Sequence, residues 1–210
     1  MITTAALERE VAAGDVDATF RLGYRFAFHR VAAQRDLGRV LRLFRRAANE
    51  GHVRAQFYAG TFYYFATATR RNLPAALRWW RLAAEGGHDV AQYNIGLAYR
   101  DGEGVPRDHR AAFSWFLRAA AGGDAEASRE VGYALFHGRG VRKDARKGVE
   151  HYRRAAIAGD RIAQWNLGCC YKDGTGVKRS TRNSNHWMRK ARAQGHRAAR
   201  TFLAQVASKR

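Results

Sequence analysis

Residues 89–124 read DVAQYNIGLAYRDGEGVPRDHRAAFSWFLRAAAGGD, and this 36-residue stretch recurs in outline along the chain. Gly51, Gly87, Gly123, Gly159 and Gly195 follow one another at steps of 36. Gly60, Gly96, Gly132 and Gly168 make a second series, and Ala47, Ala83, Ala119, Ala155 and Ala191 a third. Asp36, Asn72, Asp108, Asp144 and Ser180 make a fourth at the same spacing. Four interleaved series in one register exclude coincidence. A period of this length marks an array whose units bury their apolar faces on their neighbours.

Inside the unit the pattern is that of two helices. Ala91, Ile95 and Tyr99 fall at i, i+4 and i+8 and form one apolar face. Gly96 lies beside them, where glycine costs a helix about 1 kcal/mol relative to alanine. Its recurrence predicts that a neighbouring helix backbone passes close by. Asp101-Gly102-Glu103-Gly104 then ends the first helix, because glycine accepts the positive φ of a helix C-terminus. Every member of the fourth series has a side chain that accepts from the free N–H groups at a helix start. Each precedes an apolar run, such as Ala112, Phe113, Trp115, Phe116, Ala119 and Ala120, which is the second helix. The small Ala-Ala pair near its end lets the next unit approach.

AQYNIGLAYRDGEGVPRD followed by AFSWFLRAAAGGD resembles the Sel1-like repeat, an α/α relative of the tetratricopeptide repeat. The likeness covers nearly the whole chain and is most specific over 87–178. It implies a right-handed superhelix of helix pairs, with the first helices lining the concave side, that serves as an adaptor for other proteins. Repeats one and two depart from the pattern, since FHRVAAQRD (28–36) and FATATRRN (65–72) lack the Gly-x-Gly loop. Their helices are expected to survive and their loops to differ. Many secreted members of the family carry cysteine pairs that bridge the helices of a repeat, and this chain has none.

The expected fold is therefore all-α, a right-handed α/α superhelical solenoid of five helix pairs with capping helices at both ends. It is read as one domain over 1–210. A lead helix at 4–13 precedes pairs at 16–28/37–50, 53–65/73–86, 89–100/109–122, 125–137/145–158 and 161–172/181–194. A last helix at 197–207 takes the first-helix place of a sixth unit. The step from Gly14 to Gly51 is 37, which places a one-residue insertion between Gly23 and Asp36.

With 46% hydrophobic residues the chain can bury a continuous core. Its N-terminus, MITTAALEREVAAGD, carries acidic residues and no long apolar run, which argues against a signal peptide. No segment approaches the roughly 20 apolar residues of a membrane span. The cytoplasm is the expected location. The net charge is +20, from 38 basic and 18 acidic residues, and it is unevenly placed. Residues 1–105 hold 15 basic and 10 acidic residues, whereas 106–210 hold 23 and 8. From Gly174 onward ten Lys or Arg occur with no Asp or Glu. Such a block is either a solvated, arginine-rich face or a surface for an anionic partner. Its candidates are Arg179, Arg182, Arg189, Lys190, Arg192 and Arg197.

Residues with chemistry to offer are scattered. Cys169 and Cys170 are adjacent and point about 100° apart on a helix, so they form neither a CxxC motif nor a metal pair. The eight histidines stand singly, three of them (His52, His88 and His196) at unit starts, and no HExxH occurs, so roles at the repeat junctions are the better reading over zinc binding. Gly174-Thr175-Gly176-Val177-Lys178-Arg179-Ser180 fails the P-loop pattern and follows a helix where a P-loop needs a strand. No metal, cofactor or catalytic site is expected, and the chain reads as a non-enzyme.

Carrying one register through the first helices gives columns. One is Phe20, Phe57, Tyr93, Arg129, Trp165, and the next is Arg21, Tyr58, Asn94, Glu130, Asn166. A third is Tyr24, Thr61, Leu97, Tyr133, Cys169, and a fourth, at the loop end, is Phe28, Phe65, Asp101, His137, Asp173. Aromatic and arginine side chains are favoured in binding hot spots. The partner-binding candidates are therefore Phe20, Tyr24, Phe57, Tyr58, Tyr93, Asn94, Arg129, Tyr133, Trp165 and Asn166. The competing reading is that Tyr93, Asn94, Trp165 and Asn166 only stitch neighbouring repeats together. Phe28, Tyr58 and Phe65 replace residues that are polar in later repeats, either filling the space left by the missing glycine loops or flooring an apolar groove. The function expected is an adaptor or regulator, an immunity-type inhibitor included. It would bind another protein through an acidic, partly apolar peptide or a negatively charged surface. Sequence-independent nucleic-acid binding by the basic C-terminal repeats is the alternative, decided by where those arginines point.

Overall fold

A computed structural model describes residues 3–28 and 36–208. The described residues form helices α1 Thr4–Ala12, α2 Val16–Phe28, α3 Leu37–Asn49, α4 Val53–Tyr64, α5 Leu73–Glu85 and α6 Asp89–Asp101. They continue with α7 His109–Ala121, α8 Ala125–His137, α9 Ala145–Ile157, α10 Arg161–Asp173, α11 Thr181–Ala193 and α12 Arg197–Ala207. No strand occurs among them. The helices begin and end within one residue of the ranges read from the sequence. Two compact units result, one of residues 1–95 with 103–105, the other of 96–102 with 106–210. Most of the insertion's interval, residues 29–35, and with it most of the first repeat's loop, lies outside the described residues.

In the first unit, α2 packs on α1 and α3, and α4 on α3 and α5. In the second, α8 packs on α7 and α9, and α10 on α9 and α11. The second helices start where the capping chemistry of the fourth series predicts. Asp36, Asn72, Asp144 and Ser180 each accept from the backbone N–H three residues on, and Asp108 accepts from Arg110 and Ala111. One polar side chain thus satisfies an orphan donor in every repeat.

The helical glycine series marks the close helix approach that its spacing suggests, and adds to it. A Cβ on Gly60, Gly96, Gly132 or Gly168 would lie 2.5–2.7 Å from Trp80, Phe116, Tyr152 or Met188. What comes nearest is a large side chain of the paired second helix, and its backbone is close as well. The carbonyl oxygens of Ala76 and Gly148 lie 3.0 Å from a Cβ on Gly60 or Gly132, and that of Ser184 lies 3.4 Å from one on Gly168. Trp80, Phe116, Tyr152 and Met188 themselves recur at 36, and each fills the notch its glycine leaves. Around these seams lie the core residues Phe44, Val40 and Phe62 in the first unit and Val149, Leu167 and Met188 in the second.

The loops explain why repeat two can dispense with glycine. Asp108, Asp144 and Ser180 donate their N–H to the carbonyls of Tyr99, Leu135 and Tyr171, and Asn72 does the same to Tyr63. Repeat two keeps that bridge with Ala66 at φ 55°, the position that Gly102, Gly138 and Gly174 occupy later. Its loop therefore departs less than its sequence implies, at the cost of placing an alanine in the left-handed region. The second loop glycine serves close approach. A Cβ on Gly140 would collide with the carbonyl oxygen of His109, where the loop rests on the start of α7.

Candidate functional site

The first-helix columns resolve into two kinds of position. Phe20 stacks on His52 at 4.4 Å, Phe57 on His88 at 4.3 Å and Trp165 on His196 at 5.1 Å between ring centroids. Each histidine precedes the following first helix and accepts through Nδ1 from the N–H of Ala55, Ala91 or Ala199. Where the capping residue is Asp160, the column residue is Arg129, whose Nε lies 3.4 Å from its carboxylate. At Phe20, Phe57, Arg129 and Trp165 the first column therefore forms junctions between repeats. Aromatic residues meet imidazole caps, and a guanidinium meets a carboxylate cap. Phe20 is only 3% exposed and belongs to the core, which corrects its assignment to a partner-facing surface. Burial holds the His88 and His196 imidazoles below their ordinary pKa, and so in the neutral form an accepting Nδ1 requires.

A second stitch escaped the sequence reading. Gln56, Gln92 and Gln164 donate from Nε2 to the carbonyls of Ala48, Ala84 and Ala156, eight residues back, at 3.0–3.2 Å. Their spacing of 36 or its multiple was the available signal.

In the first unit, Tyr24, Phe28 and Tyr58 gather into one aromatic cluster, with centroids 4.7–5.6 Å apart. Arg54 lies over the rings of Phe20 and Tyr24. Tyr58 also stacks on Phe44, so it is largely structural, whereas Phe28 and Phe65 are 51% and 68% exposed. Tyr93 and Asn94 are half-buried on α6.

The second unit holds a cavity of about 550 Å³, within the range of small ligand sites. Arg129, Tyr133 and Asn166, all expected at a partner site, line it together with Phe136, Arg139 and Ile162, which were not expected. Trp165 does not line it. Tyr152, Cys169 and Cys170 contribute to its wall. Burial pushes the Cys170 thiol up to about 12 and raises that of Cys169, so both stay protonated at neutral pH. Beneath the cavity Glu130 is buried between Arg129 at 2.6 Å and Arg100 at 3.2 Å. Arg100 also pairs with Asp101 at 2.8 Å, and that bond raises its pKa while lowering that of Asp101. A chain of charges, Asp101–Arg100–Glu130–Arg129–Asp160, thus runs from α6 to the cap of α10. Arg139 lies over the Tyr133 ring at 5.0 Å. It makes no ion pair among the described residues. The cavity accordingly offers an apolar and aromatic wall, a fixed ionic floor and one cation at the rim that is available to a ligand.

Of the basic candidates, Arg182, Arg189 and Lys190 share one face of α11 with His186. Arg192 lies on a flank of that helix, Arg179 in the loop before it and Arg197 on α12. All six are exposed. Among the described residues no three His, Cys, Asp or Glu gather so as to hold a metal ion, and no helix is long and apolar enough to cross a membrane.

The Sel1 repeat family model matches residues 16–52, 53–88, 89–124, 125–160 and 161–196. Among solved structures, a protective antigen of uropathogenic Escherichia coli strains, described as displaying an SLR fold, is 31% identical with a TM-score of 0.92. The match covers 98% of this chain and 44% of that one, so the chain spans less than half the length of that protein. A Sel1 repeat protein from Oxalobacter formigenes is 27% identical with a TM-score of 0.85, over 93% of this chain and 81% of that one. An immunity protein from Pseudomonas aeruginosa, 20% identical with a TM-score of 0.52 over 88% of this chain and 67% of that one, shares the fold. No match was found among curated proteins. Five tandem matches, joined by caps and stitches that recur at the repeat spacing, place the chain in the Sel1 repeat family, whose members are generally non-enzymatic scaffolds for protein–protein interaction.

Proposed function

We propose that the protein is an adaptor or regulator that captures a segment of another protein in the cavity between α8 and α10. The observation that carries this reading is the meeting of Tyr133, Phe136, Ile162 and Asn166 around about 550 Å³, with Arg139 at the rim. An apolar side chain of the partner enters beside Tyr133 and Phe136, and a neighbouring Asp or Glu meets the guanidinium of Arg139. The ionic floor is already paired, so it sets the shape of the cavity and leaves the attraction to the rim. Aromatic and arginine groups around a desolvated pocket are the usual composition of a binding hot spot. Selection of a random peptide library against the protein tests the reading. Enriched peptides should carry a bulky apolar residue next to an acidic one. Arg139→Glu and Ile162→Asp, both at exposed positions, should weaken those peptides about tenfold or more without moving the unfolding midpoint. Peptides indifferent to both substitutions would place the binding surface elsewhere.

A further inference from the structure

The second helices of residues 96–210 carry a regularity of charge that the cavity does not use. Arg110, Arg146 and Arg182 occupy one position of α7, α9 and α11, a repeat apart, and Arg118, Arg154 and Lys190 occupy another, eight residues further on. All six are exposed. None of them makes an ion pair among the described residues, in contrast to Arg100 and Arg129. Arg118 and Lys190 lie over the rings of Trp115 and Trp187, at 4.7 and 5.1 Å, so aromatic platforms support two of the cations at the surface. On α11 the row widens. Arg182, His186, Arg189 and Lys190 line a shallow depression of about 390 Å³ with Ala193.

The chemistry of that face narrows the partner. A protein interface needs an apolar centre depleted in charge, and a membrane-surface helix inserts large apolar side chains. α11 exposes no large apolar residue, and Leu117 and Ile157 stand singly on α7 and α9. The only carboxylate within α9 is Glu150, and from Gly174 onward there is none. Phosphate oxygens need only cations and N–H donors, and the contacts they make carry no base sequence. We propose that the basic rows of α7, α9 and α11, densest on α11, bind the phosphate backbone of nucleic acid without reading its sequence. This surface is separate from the cavity, and neither proposal depends on the other.

The probe is a fluorescein-labelled DNA duplex of about 20 base pairs, its binding followed by anisotropy. About four phosphate contacts give a slope near −3.6 in log affinity against log salt, a loss on the order of 100-fold between about 50 and about 200 mM. Two duplexes of unrelated sequence should bind alike. The triple variant R182E/R189E/K190E should abolish binding and keep its helical circular dichroism, while Ile162→Asp should leave binding intact. Absence of binding at low salt, or a triple variant that binds as the parent does, would overturn the proposal. So would poly-glutamate or phosphatidylserine vesicles competing as well as the duplex, since the surface would then suit an acidic protein or a lipid headgroup.

Discussion

Ala66 shows how much one position can hold. It takes a positive φ where three later repeats place glycine, and a side chain in that region costs on the order of 1–2 kcal/mol. Replacing it by glycine relieves the strain, offset in part by the larger entropy of the unfolded chain. Ala66→Gly should therefore raise stability by about 0.5–1 kcal/mol in chemical denaturation. A loss of stability would mean that the alanine methyl contributes packing that outweighs its strain. At this scale the sequence was an uneven guide. The caps Asp36, Asn72, Asp108, Asp144 and Ser180 could be read because all five side chains belong to one chemical class. His52, His88 and His196 could be placed at repeat junctions but not read as caps, because imidazole is an unusual cap. The glycine series announced the close helix backbone but not the large side chain that comes nearer still, since a spacing of 36 does not identify the atom across the gap.

Among elements, the histidine caps make helix starts sensitive to acid. Burial is the largest cause of the lowered pKa at His88, His137, His151 and His196. An unfolded histidine titrates near 6.5, and each folded one titrates below that. The unfolded chain then binds more protons over the interval, so stability is full above about pH 6.5 and falls as pH drops through it toward the folded values. The melting temperature should be level from about pH 8 to about pH 7 and decline toward about pH 5. In H88D/H196D, where aspartate caps without needing to be neutral, the decline should shrink. Equal declines in parent and variant would remove the caps as its cause. The same elements explain why the candidate site was half legible. Arg129, Tyr133 and Asn166 follow from the repeat register, whereas Arg100, Arg139 and Ile162 enter the cavity from other positions on or beyond their helices. Register alone also cannot tell a core-facing side chain from a solvent-facing one, which is why Phe20 entered the list of partner-binding residues.

At the scale of the whole molecule, the all-α repeat architecture was almost fully legible, because every repeat restates the same constraints. The ionic chain through Glu130 was not, since its members come from different register positions of two repeats and no other repeat carries the same set. Removing one partner of a buried ion pair typically costs about 3–5 kcal/mol. Glu130→Ala, which leaves the half-buried Arg129 without its nearest carboxylate, should fall toward the lower end of that range. Hydrogen exchange should show the loss in the amides of α8 and α10 and spare those of α2 and α4. Uniform loss across all the helices would mean that the two compact units unfold as one.

The capping residue that begins each first helix is the last residue of the preceding family match: His52, His88, Asp160 and His196 close the segments 16–52, 53–88, 125–160 and 161–196. Phe20, Phe57, Arg129 and Trp165, which meet those caps, lie in the same segments as the caps. Each of these four segments is thus a transferable cassette that brings both halves of its own downstream joint. Unequal crossing-over that duplicates 53–88 yields another matched aromatic–imidazole joint. A breakpoint shifted one residue upstream, after Gly87, moves His88 into the following cassette. Recombination between unlike cassettes at that point would then part a cap from the side chain it meets here. Array length can therefore change by whole cassettes at no cost to the joints, provided the cut falls after the cap.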